Sequence, residues 1–349
     1  MTKIASNSHN GMVPSLSNMN KTIGILGAGS WGTAMAQAFA NQGHSVYLWH
    51  RSAKTAQAIQ KTRINQKYFP NAQLHPLIEI ISDWKWMIQH VEIIVLAVPT
   101  TILPYFLSTM LTNIRKDQVV LNAAKGLDHA REQTISQWIQ STFSKTIVEQ
   151  HYGVLSGPTF AQEVMENKPT GMMLAFKDAN RRSRIKSTLH ATRFQIFETS
   201  DICGVEIAGA LKNVIAITVG ASDTLGFGFN SRAALLTKGQ EEISHIGRAL
   251  GALPETFWGL AGMGDLILTC TGDLSRNRRV GKKLAEGKNI RQVLKELGQI
   301  AEGIRTTKTA YHLSQKLGLK TPILSETYHS IFKGKSLQQA VETILLEMK

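Results

Sequence analysis

The segment that most restricts the fold is Gly27-Ala28-Gly29-Ser30-Trp31-Gly32, which matches the pattern GxGxxG. It follows a short apolar stretch, TIGIL, and precedes TAMAQAFANQG, a stretch of helical composition. In a strand, turn and helix of this kind, Gly27 permits a tight turn, Gly29 lets the backbone approach a pyrophosphate, and Gly32 lets the helix pack on the strand. The N–H groups at the start of the helix favour an anion. The pattern therefore predicts a dinucleotide site.

Apolar stretches alternate with stretches of helical composition between residues 21 and 199. Strands are expected at 22–26, 45–50, 92–98, 118–124 and 152–156, and less clearly at 171–176 and 193–198. This alternation predicts an α/β fold in which a Rossmann-type doubly wound, mostly parallel sheet occupies residues 21–199.

Strand signals disappear beyond residue 199. Helical spacing of apolar residues there predicts an all-α C-terminal domain over residues 200–349, with helices at 203–221, 230–250, 277–286, 290–297, 303–317, 323–333 and 336–347. Residues 1–20 are rich in Ser and Asn and lack a continuous apolar stretch. We expect them to form a disordered N-terminal tail and not a secretory signal. The alternative is an over-long start, since Met12 and Met19 could each begin the ordered chain.

The chain of 349 residues carries a net charge of +14, which indicates an anionic partner. Nucleic acid is one candidate, and an anionic small substrate with an anionic cofactor is the other. The basic residues are spread along the chain and form no long basic run, so we expect no nucleic-acid partner.

Two cysteines, Cys203 and Cys270, lie far apart, and no His or Cys spacing typical of a metal site occurs. We therefore expect no metal and a reducing, cytoplasmic location. Lys212 interrupts the longest apolar run, 205–221, so no membrane span of about 18 uncharged residues is expected.

The end of the second predicted strand indicates which dinucleotide is preferred. A site for NAD usually has Asp or Glu about 20 residues beyond the first glycine, where it binds the ribose 2′-hydroxyl. This chain has His50-Arg51 there, and its first acidic residue is Glu79. Arg51 can instead bind a 2′-phosphate, so we expect NADPH to be preferred over NADH. The alternative is that Arg51 is a solvated residue that stacks on adenine.

Polar residues follow several predicted strands, where ligands of open α/β sheets bind. Lys125 directly follows one strand and can reach an anion or a carbonyl oxygen, and Ser156-Gly157-Pro158-Thr159 follows another. In the C-terminal half, the segment LSRNRRVGKK has a composition that suits a phosphate, with Ser275, Arg276 and Asn277 as donors. Its alternative interpretation is a solvated basic helix start, above all for Arg279, Lys282 and Lys283.

Lys212 and Asn213 lie side by side within an apolar run. A buried ammonium is costly unless it is paired or its pKa falls. A lysine with a lowered pKa exchanges a proton near neutral pH, and reduction of a carbonyl group by hydride transfer needs a proton donor at the developing alkoxide. Lys212 is therefore the candidate proton donor.

Taken together, the motifs GAGSWGTA, AAKGL, SGPTFA, GALKNVIAI, GLAGMGDLILTCT, SRNRR and GQIAEG closely resemble the NAD(P)-dependent glycerol-3-phosphate dehydrogenases of the soluble bacterial type. The resemblance runs from about Lys21 to the C-terminus. It implies reduction of dihydroxyacetone phosphate by NAD(P)H to sn-glycerol 3-phosphate, the backbone of glycerophospholipids. It also implies a Rossmann-type domain followed by a helical domain, and a homodimer.

The resemblance assigns roles to individual residues. Lys212 is implied to be the proton donor in reduction and the acceptor in oxidation, and so to contact the substrate. Asp265 is implied to hold the amine of Lys212 or the substrate hydroxyl, and Lys125 to touch both cofactor and substrate. Further cofactor contacts are implied for Gly27, Gly29, Ser30, Trp31, Gly32, Arg51, Ala161, Arg276, Ile300 and Glu302. Further substrate contacts are implied for Gly157, Thr159, Asn213, Ser275, Arg276 and Asn277.

Three alternatives remain open at this point. A dehydrogenase for a 3-hydroxy acid or ketopantoate would lack the SRNRR segment and need no phosphate site. A non-enzymatic NADPH-sensing module would not depend on Lys212. A nucleic-acid-binding protein would have an affinity for DNA that falls steeply with salt.

Overall fold

The computed structural model describes residues 21–297 and 301–347. Eight strands form one sheet, and they are β1 Thr22–Leu26, β2 Ser45–Trp49, β3 Ile78–Ile81, β4 Ile93–Leu96, β5 Val119–Asn122, β6 Tyr152–Ser156, β7 Thr170–Phe176 and β8 Phe194–Thr199. The seven strands predicted from the sequence are all present. The prediction missed β3, because its four residues IEII are too few for a clear alternation and include an acidic residue.

The strand order is β3-β2-β1-β4-β5-β6-β7-β8. Strands β1 to β6 run parallel, β7 is antiparallel to β6, and β8 is parallel to β7. The order reverses direction between β1 and β4, as it does in a doubly wound fold, and ligands bind at this point beyond the carboxyl ends of the strands. The predicted Rossmann-type, mostly parallel sheet is confirmed.

Both faces of the central strands are apolar. Ile23 and Ile25 of β1 pack in one apolar cluster with Phe39, and Leu26 packs in a second cluster with Ile94. Because successive side chains of a strand point to opposite faces, this arrangement requires nearly continuous apolar sequences such as IIVL in β4.

Helices cover these faces, and they are α1 Ser30–Ala40, α2 Ala53–Thr62, α3 Trp84–His90, α4 Leu103–Thr112, α5 Ile135–Thr142, α6 Lys145–His151, α7 Ala161–Met165 and α8 Ala179–Leu189. Side-chain oxygens accept from backbone N–H groups at the starts of several of them. Thr134 and Gln137 form a reciprocal capping box at the start of α5. The start of α1, by contrast, has no side-chain cap.

The remaining helices are α9 Ile202–Thr224, α10 Gly228–Ala249, α11 Asp265–Thr271, α12 Arg276–Ala285, α13 Ile290–Leu297, α14 Glu302–Lys316, α15 Pro322–Phe332 and α16 Leu337–Glu347. No strand occurs among the described residues after Thr199, so the predicted all-α character of this half is confirmed. The seven predicted helices are present with ends within a few residues. The prediction did not include α11, which follows a glycine-rich π-helical turn, Leu260–Gly264.

Helix α9 is the core of the helical half, and α10, α11, α12 and α14 pack around it. Its length and composition would suffice for a membrane span, but 94% of its most apolar window is buried inside the protein. We therefore interpret it as a core helix. The start of α9 is capped by the protein itself, since the carboxylate of Asp201 accepts from the N–H of Gly204 at 2.9 Å.

Two glycines let α12 approach α9 backbone to backbone. A methyl group added at Gly281 would lie 1.8 Å from the carbonyl oxygen of Ile217, and one at Gly220 would lie 2.2 Å from the carbonyl oxygen of Arg278. Any larger residue at either position would separate the helices. This close packing brings the start of α12 beside the middle of α9, where Lys212 and Asn213 lie.

Candidate active site

The glycine loop after β1 has the shape that a dinucleotide requires. Gly27 has a φ of +118°, and a Cβ there would lie 2.5 Å from the carbonyl oxygen of Ala97. A Cβ at Gly32 would lie 1.9 Å from the carbonyl oxygen of Gly27, whereas a Cβ at Gly29 would meet no atom within 4 Å. Gly27 and Gly32 thus serve close packing, and Gly29 faces open space at the uncapped start of α1. The residues fit a bound pyrophosphate.

The surroundings of this loop fit the rest of a dinucleotide. The N–H of Ala28 donates to the carbonyl oxygen of Trp49 at 3.0 Å, so the loop lies beside the end of β2. Arg51 follows that strand end and is exposed. The indole nitrogen of Trp31 is buried and has no hydrogen-bond partner among the described residues. Ser30 is the first residue of α1.

Side chains from three distant parts of the chain, the end of β5, the middle of α9 and the start of α11, meet around the carboxylate of Asp265. The Nζ of Lys212 donates to Asp265 Oδ1 at 2.5 Å and to Thr269 Oγ1 at 2.6 Å. The Nζ of Lys125 donates to the other oxygen, Asp265 Oδ2, at 2.7 Å and to the carbonyl oxygen of Gly157 at 2.8 Å. Asp265 thus holds two ammonium groups side by side, and we call Lys125, Lys212, Asp265 and Thr269 the lysine cluster.

Burial controls the protonation of this cluster. Lys212 and Asp265 are almost inaccessible to solvent, whereas 18% of the Lys125 side chain is exposed. Desolvation is the main cause that lowers the pKa of Lys212 to about 8; the charge of Asp265 opposes it, and the charge of Lys125 acts in the same direction as desolvation. Lys212 can therefore gain and lose a proton near physiological pH.

Asn213, next to Lys212 on α9, belongs to a chain of amide hydrogen bonds. Its Nδ2 donates to the carbonyl oxygen of Lys125 at 3.4 Å, and its Oδ1 accepts from Asn277 Nδ2 at 2.8 Å. Asn277 Oδ1 in turn accepts from the N–H of Gly303 at 3.1 Å. These bonds connect α9, α12 and α14 directly beside the lysine cluster.

The basic segment of α12 divides into paired and unpaired cations. Arg278 is buried and pairs with Asp223 at 2.7 Å and with Asp273 at 2.5 Å. Its charge is therefore already paired, and the bond to Asp223 connects α12 to α9. Arg276 is mostly buried, and its guanidinium makes no hydrogen bond to any described residue. Burial lowers the pKa of Arg276, partly offset by the nearby charge of Glu302. Arg279 is exposed to solvent.

Ser275 is buried at the start of α12. Its Oγ accepts from the N–H of Arg278 at 3.2 Å and so caps the helix, which leaves its own hydroxyl hydrogen to donate elsewhere. The sequence interpretation had assigned Ser275 to a phosphate and had not included this capping bond.

Glu302 begins α14 and reaches the end of the sheet. Its carboxylate accepts from the N–H of Thr100 at 3.2 Å and from the hydroxyl of Thr100 at 2.9 Å, and His129 Nε2 lies 3.8 Å away. Burial raises the pKa of Glu302, but the neighbouring His129 and the hydrogen bonds from Thr100 outweigh it, so the pKa lies below its usual value. The other residue predicted here, Ile300, lies outside the described residues.

The loop after β6 provides the remaining predicted contacts. Gly157 has a φ of +144°, its carbonyl oxygen accepts from Lys125, and the hydroxyl of Thr159 donates to the same oxygen at 3.2 Å. Ala161 is the first residue of α7 and packs against the apolar cluster that contains α1. The structure thus brings this loop to the lysine cluster.

The sequence interpretation missed three residues of this region: Thr269, Thr100 and His129. Thr269 could have been found, because it lies four residues after Asp265 and therefore on the same face of α11. Thr100 and His129 carry no local signal, since only the fold brings them to Glu302. The described ranges contain no group of three or more His, Cys, Asp or Glu residues placed to hold a metal ion, and Cys203 and Cys270 are free thiols.

Comparison with known proteins assigns this chain to a family. The family models described as NAD-dependent glycerol-3-phosphate dehydrogenase N-terminus and C-terminus match residues 22–182 and 201–342. The glycerol-3-phosphate dehydrogenase [NAD(P)+] of Syntrophotalea carbinolica is 39% identical over 93% of this chain and 97% of its own length. That of a Thermoanaerobacter species is 40% identical over 94% and 97%.

A solved structure agrees with the sequence comparisons. The crystal structure of glycerol-3-phosphate dehydrogenase from Coxiella burnetii is 33% identical, and the match covers 93% of this chain and 99% of that one with a TM-score of 0.87. The chain is an NAD(P)-dependent oxidoreductase that belongs to the NAD-dependent glycerol-3-phosphate dehydrogenase family.

Proposed function

We propose that this chain reduces dihydroxyacetone phosphate to sn-glycerol 3-phosphate with Lys212 as the proton donor. The observation that carries the proposal is the buried ammonium of Lys212, held 2.5 Å from Asp265 and beside Lys125. The reverse oxidation uses the same residues, with Lys212 as the proton acceptor.

The lysine cluster supplies what the carbonyl oxygen needs during reduction. When bound, the reduced nicotinamide supplies a hydride for the carbonyl carbon. The ammonium of Lys212 donates its proton to the carbonyl oxygen as negative charge develops there, and Lys125 adds a second positive charge. Asp265 and Thr269 hold the amine in place, so little reorganisation is required at the moment of proton transfer.

The substrate phosphate is assigned to the start of α12. Neither Arg276 nor Arg279 has a side-chain partner among the described residues, but only Arg276 is mostly buried. A mostly buried guanidinium forms strong paired hydrogen bonds to phosphate oxygens. Ser275 can still donate its hydroxyl hydrogen, and Asn277 has one amide hydrogen left. Gly157, Thr159 and Asn213 are assigned to the rest of the substrate because they adjoin Lys125.

The cofactor is assigned to the glycine loop and to the residues around it. Gly27, Gly29, Ser30 and Gly32 would hold the pyrophosphate, and the remaining contacts would come from Trp31, Arg51, Lys125, Ala161, Arg276 and Glu302. The open space at Gly29 supports this assignment. We propose a preference for NADPH, because Arg51 follows β2 at the position where a NAD site has an acidic residue.

The test of the function is the oxidation of NADPH by the purified protein with dihydroxyacetone phosphate, run beside NADH. Unphosphorylated dihydroxyacetone is the matched substrate. We expect turnover with the phosphorylated ketone and a loss of more than about tenfold in kcat/KM without the phosphate. Equal efficiency with both ketones would favour the dehydrogenase for an unphosphorylated hydroxy acid.

The pKa of Lys212, about 8, predicts the pH dependence of the reaction. Reduction needs the ammonium form, so its kcat/KM should be constant below this pKa and fall by about tenfold per pH unit above it. Oxidation needs the free amine and should show the opposite dependence. Rates measured in both directions check this, with NADPH affinity followed across the same range as a control. A pH–rate profile that falls only near 10.5, the ordinary pKa of lysine, would contradict the assignment of Lys212 as the proton donor.

Arg51 offers a test of cofactor preference. We expect Arg51→Leu to raise the KM for NADPH by about tenfold and to leave the KM for NADH unchanged, because only NADPH carries the 2′-phosphate. Lys54→Leu, which removes an exposed cation from nearby α2, is the matched control. Equal effects of Arg51→Leu on both cofactors would support stacking of Arg51 on adenine instead.

Three further proposals concern the protein as a whole. A division into residues 21–199 and 200–349 is supported by the end of the sheet at Thr199 and the start of α9 at Ile202. A homodimer and a cytoplasmic location are supported by the resemblance to the family. Light scattering of the purified protein would test the dimer, which predicts about twice the chain mass of 38.5 kDa.

A further inference from the structure

A chain of buried hydrogen bonds connects helix α9 to the end of strand β5. The hydroxyl of Tyr152 donates to Glu206 Oε1 at 2.7 Å and accepts from Asn122 Nδ2 at 3.0 Å. All three residues are almost inaccessible to solvent. The hydroxyl of Ser136 donates to the other oxygen of Glu206, Oε2, and the N–H of Ser136 is shared by both oxygens at 3.2 Å. We call Glu206, Tyr152 and Asn122 the tyrosine network.

The tyrosine network ends directly before Lys125. Asn122 is the last residue of β5, and its Oδ1 accepts from the N–H of Ala124 at 3.0 Å. This bond between a side chain and the backbone two residues later sets the direction in which the chain leaves the strand. Lys125 is the next residue, so the aim of its flexible side chain depends on that direction.

The other end of the network lies on the helix that carries the proton donor. Glu206 precedes Lys212 by six residues on α9, a distance of about 9 Å along the helix axis. The bonds through Tyr152 therefore connect the two elements that carry Lys125 and Lys212. Both lysines contact Asp265, and their separation decides how the two positive charges lie around the carbonyl oxygen.

Burial of such a network needs an explanation, because a carboxylate and a phenol are costly to desolvate and apolar residues would fill this space at lower cost. Burial raises the pKa of Glu206, with bonds from Ser136 and Tyr152 opposing it. A hydrogen-bonded polar network fixes the orientation of its side chains, which apolar contacts do not.

We propose that Glu206, Tyr152 and Asn122 are positioning residues that hold Lys125 in its productive orientation and fix its spacing from Lys212. The proposal rests on the function proposed above. None of the three residues is assigned a contact with substrate or cofactor, so they act through Lys125.

The test is Tyr152→Phe, which removes the connecting hydroxyl and keeps the ring. We expect kcat/KM for dihydroxyacetone phosphate to fall by about 10- to 100-fold, because small displacements of positioned groups have effects of this size. We expect only a small change in the thermal unfolding midpoint. The catalytic constants are measured well below that temperature, so unfolding does not account for their loss. Asn122→Ala should give the same loss, and the double variant should lose no more than either single variant.

Two matched controls separate positioning from a general loss of stability. Ser136→Ala removes the hydroxyl bond to Oε2, the oxygen of the same carboxylate that Tyr152 does not contact, and it should leave the catalytic constants within about twofold. Tyr328→Phe removes a phenol hydroxyl from another buried tyrosine, on α15, and should have equally little effect. Losses in Ser136→Ala as large as those in Tyr152→Phe would overturn the proposal.

A crystal structure of Tyr152→Phe gives a readout that does not depend on the substrate. We expect the bond between Lys125 Nζ and Asp265 Oδ2, 2.7 Å in the native protein, to be broken. An unchanged distance would overturn the positioning role. Failure of the native protein to turn over dihydroxyacetone phosphate would instead contradict the proposed function, and the distance would still decide the role of the network.

Discussion

Lys212→Met is expected to reduce kcat for dihydroxyacetone phosphate by about 10³-fold or more, with NADPH binding retained. Methionine has a similar length but no proton to donate, and general acid catalysis contributes about 10²- to 10⁴-fold. The variant should fold, because Asp265 keeps the bond from Lys125 and is not left as an unpaired buried charge. The measurements are steady-state kinetics and an NADPH dissociation constant from fluorescence.

The surface variant Lys282→Met is the matched control for this experiment. It removes the same charge from a partly exposed position of α12, where Lys282 lies 3.3 Å from Asp273, and should keep native kcat. Native kcat in Lys212→Met would contradict the role of Lys212 as proton donor. Retained NADPH binding with no turnover even in the native protein would instead favour the non-enzymatic NADPH-sensing module.

Arg276→Ala should raise the KM for dihydroxyacetone phosphate by about 100-fold with a smaller change in kcat. Each hydrogen bond from a charged group contributes about 1.5–3 kcal/mol, and the loss of one or two such bonds to the phosphate corresponds to this factor. Residual activity with unphosphorylated dihydroxyacetone should be unchanged, because that ketone has no group for Arg276 to bind. Kinetics with both ketones measure the difference.

Arg279→Ala is the matched control, since it removes an exposed arginine three residues along the same helix. It should change the KM by less than about twofold. Equal losses in Arg276→Ala and Arg279→Ala would indicate a general effect of positive charge on α12. A loss in Arg276→Ala that is equally large for both ketones would place Arg276 elsewhere than at the phosphate.

Local patterns in the sequence were sufficient for most of the secondary structure and for the dinucleotide loop. The geometry of Gly27, Gly29 and Gly32 follows from a tight turn and two close backbone contacts, which GxGxxG encodes within six residues. The strands were recognised by their apolar runs and the later helices by their spacing. The four-residue strand β3 and helix α11 were missed, because one is too short and the other follows a glycine-rich turn.

The residue types of the active site were also readable, because a lysine in an apolar helix is costly without a function. The sequence indicated Lys212, Lys125, Asp265 and Arg276 as candidates. Residue type alone did not tell which arginine of SRNRR is both mostly buried and unpaired. Arg278 is paired with Asp223, a residue 55 positions earlier on α9, and this contact depends on the packing of two helices.

The fold class, the position of the glycine loop and the types of chemical group could be predicted from the sequence, because they depend on local composition and periodicity. How those groups meet depends on the packing of distant elements. Lys125, Lys212 and Asp265 converge because β5, α9 and α11 pack together, and Glu302 reaches Thr100 across 202 positions. Contacts between distant segments arise from the packing of whole elements, and no local pattern records that packing.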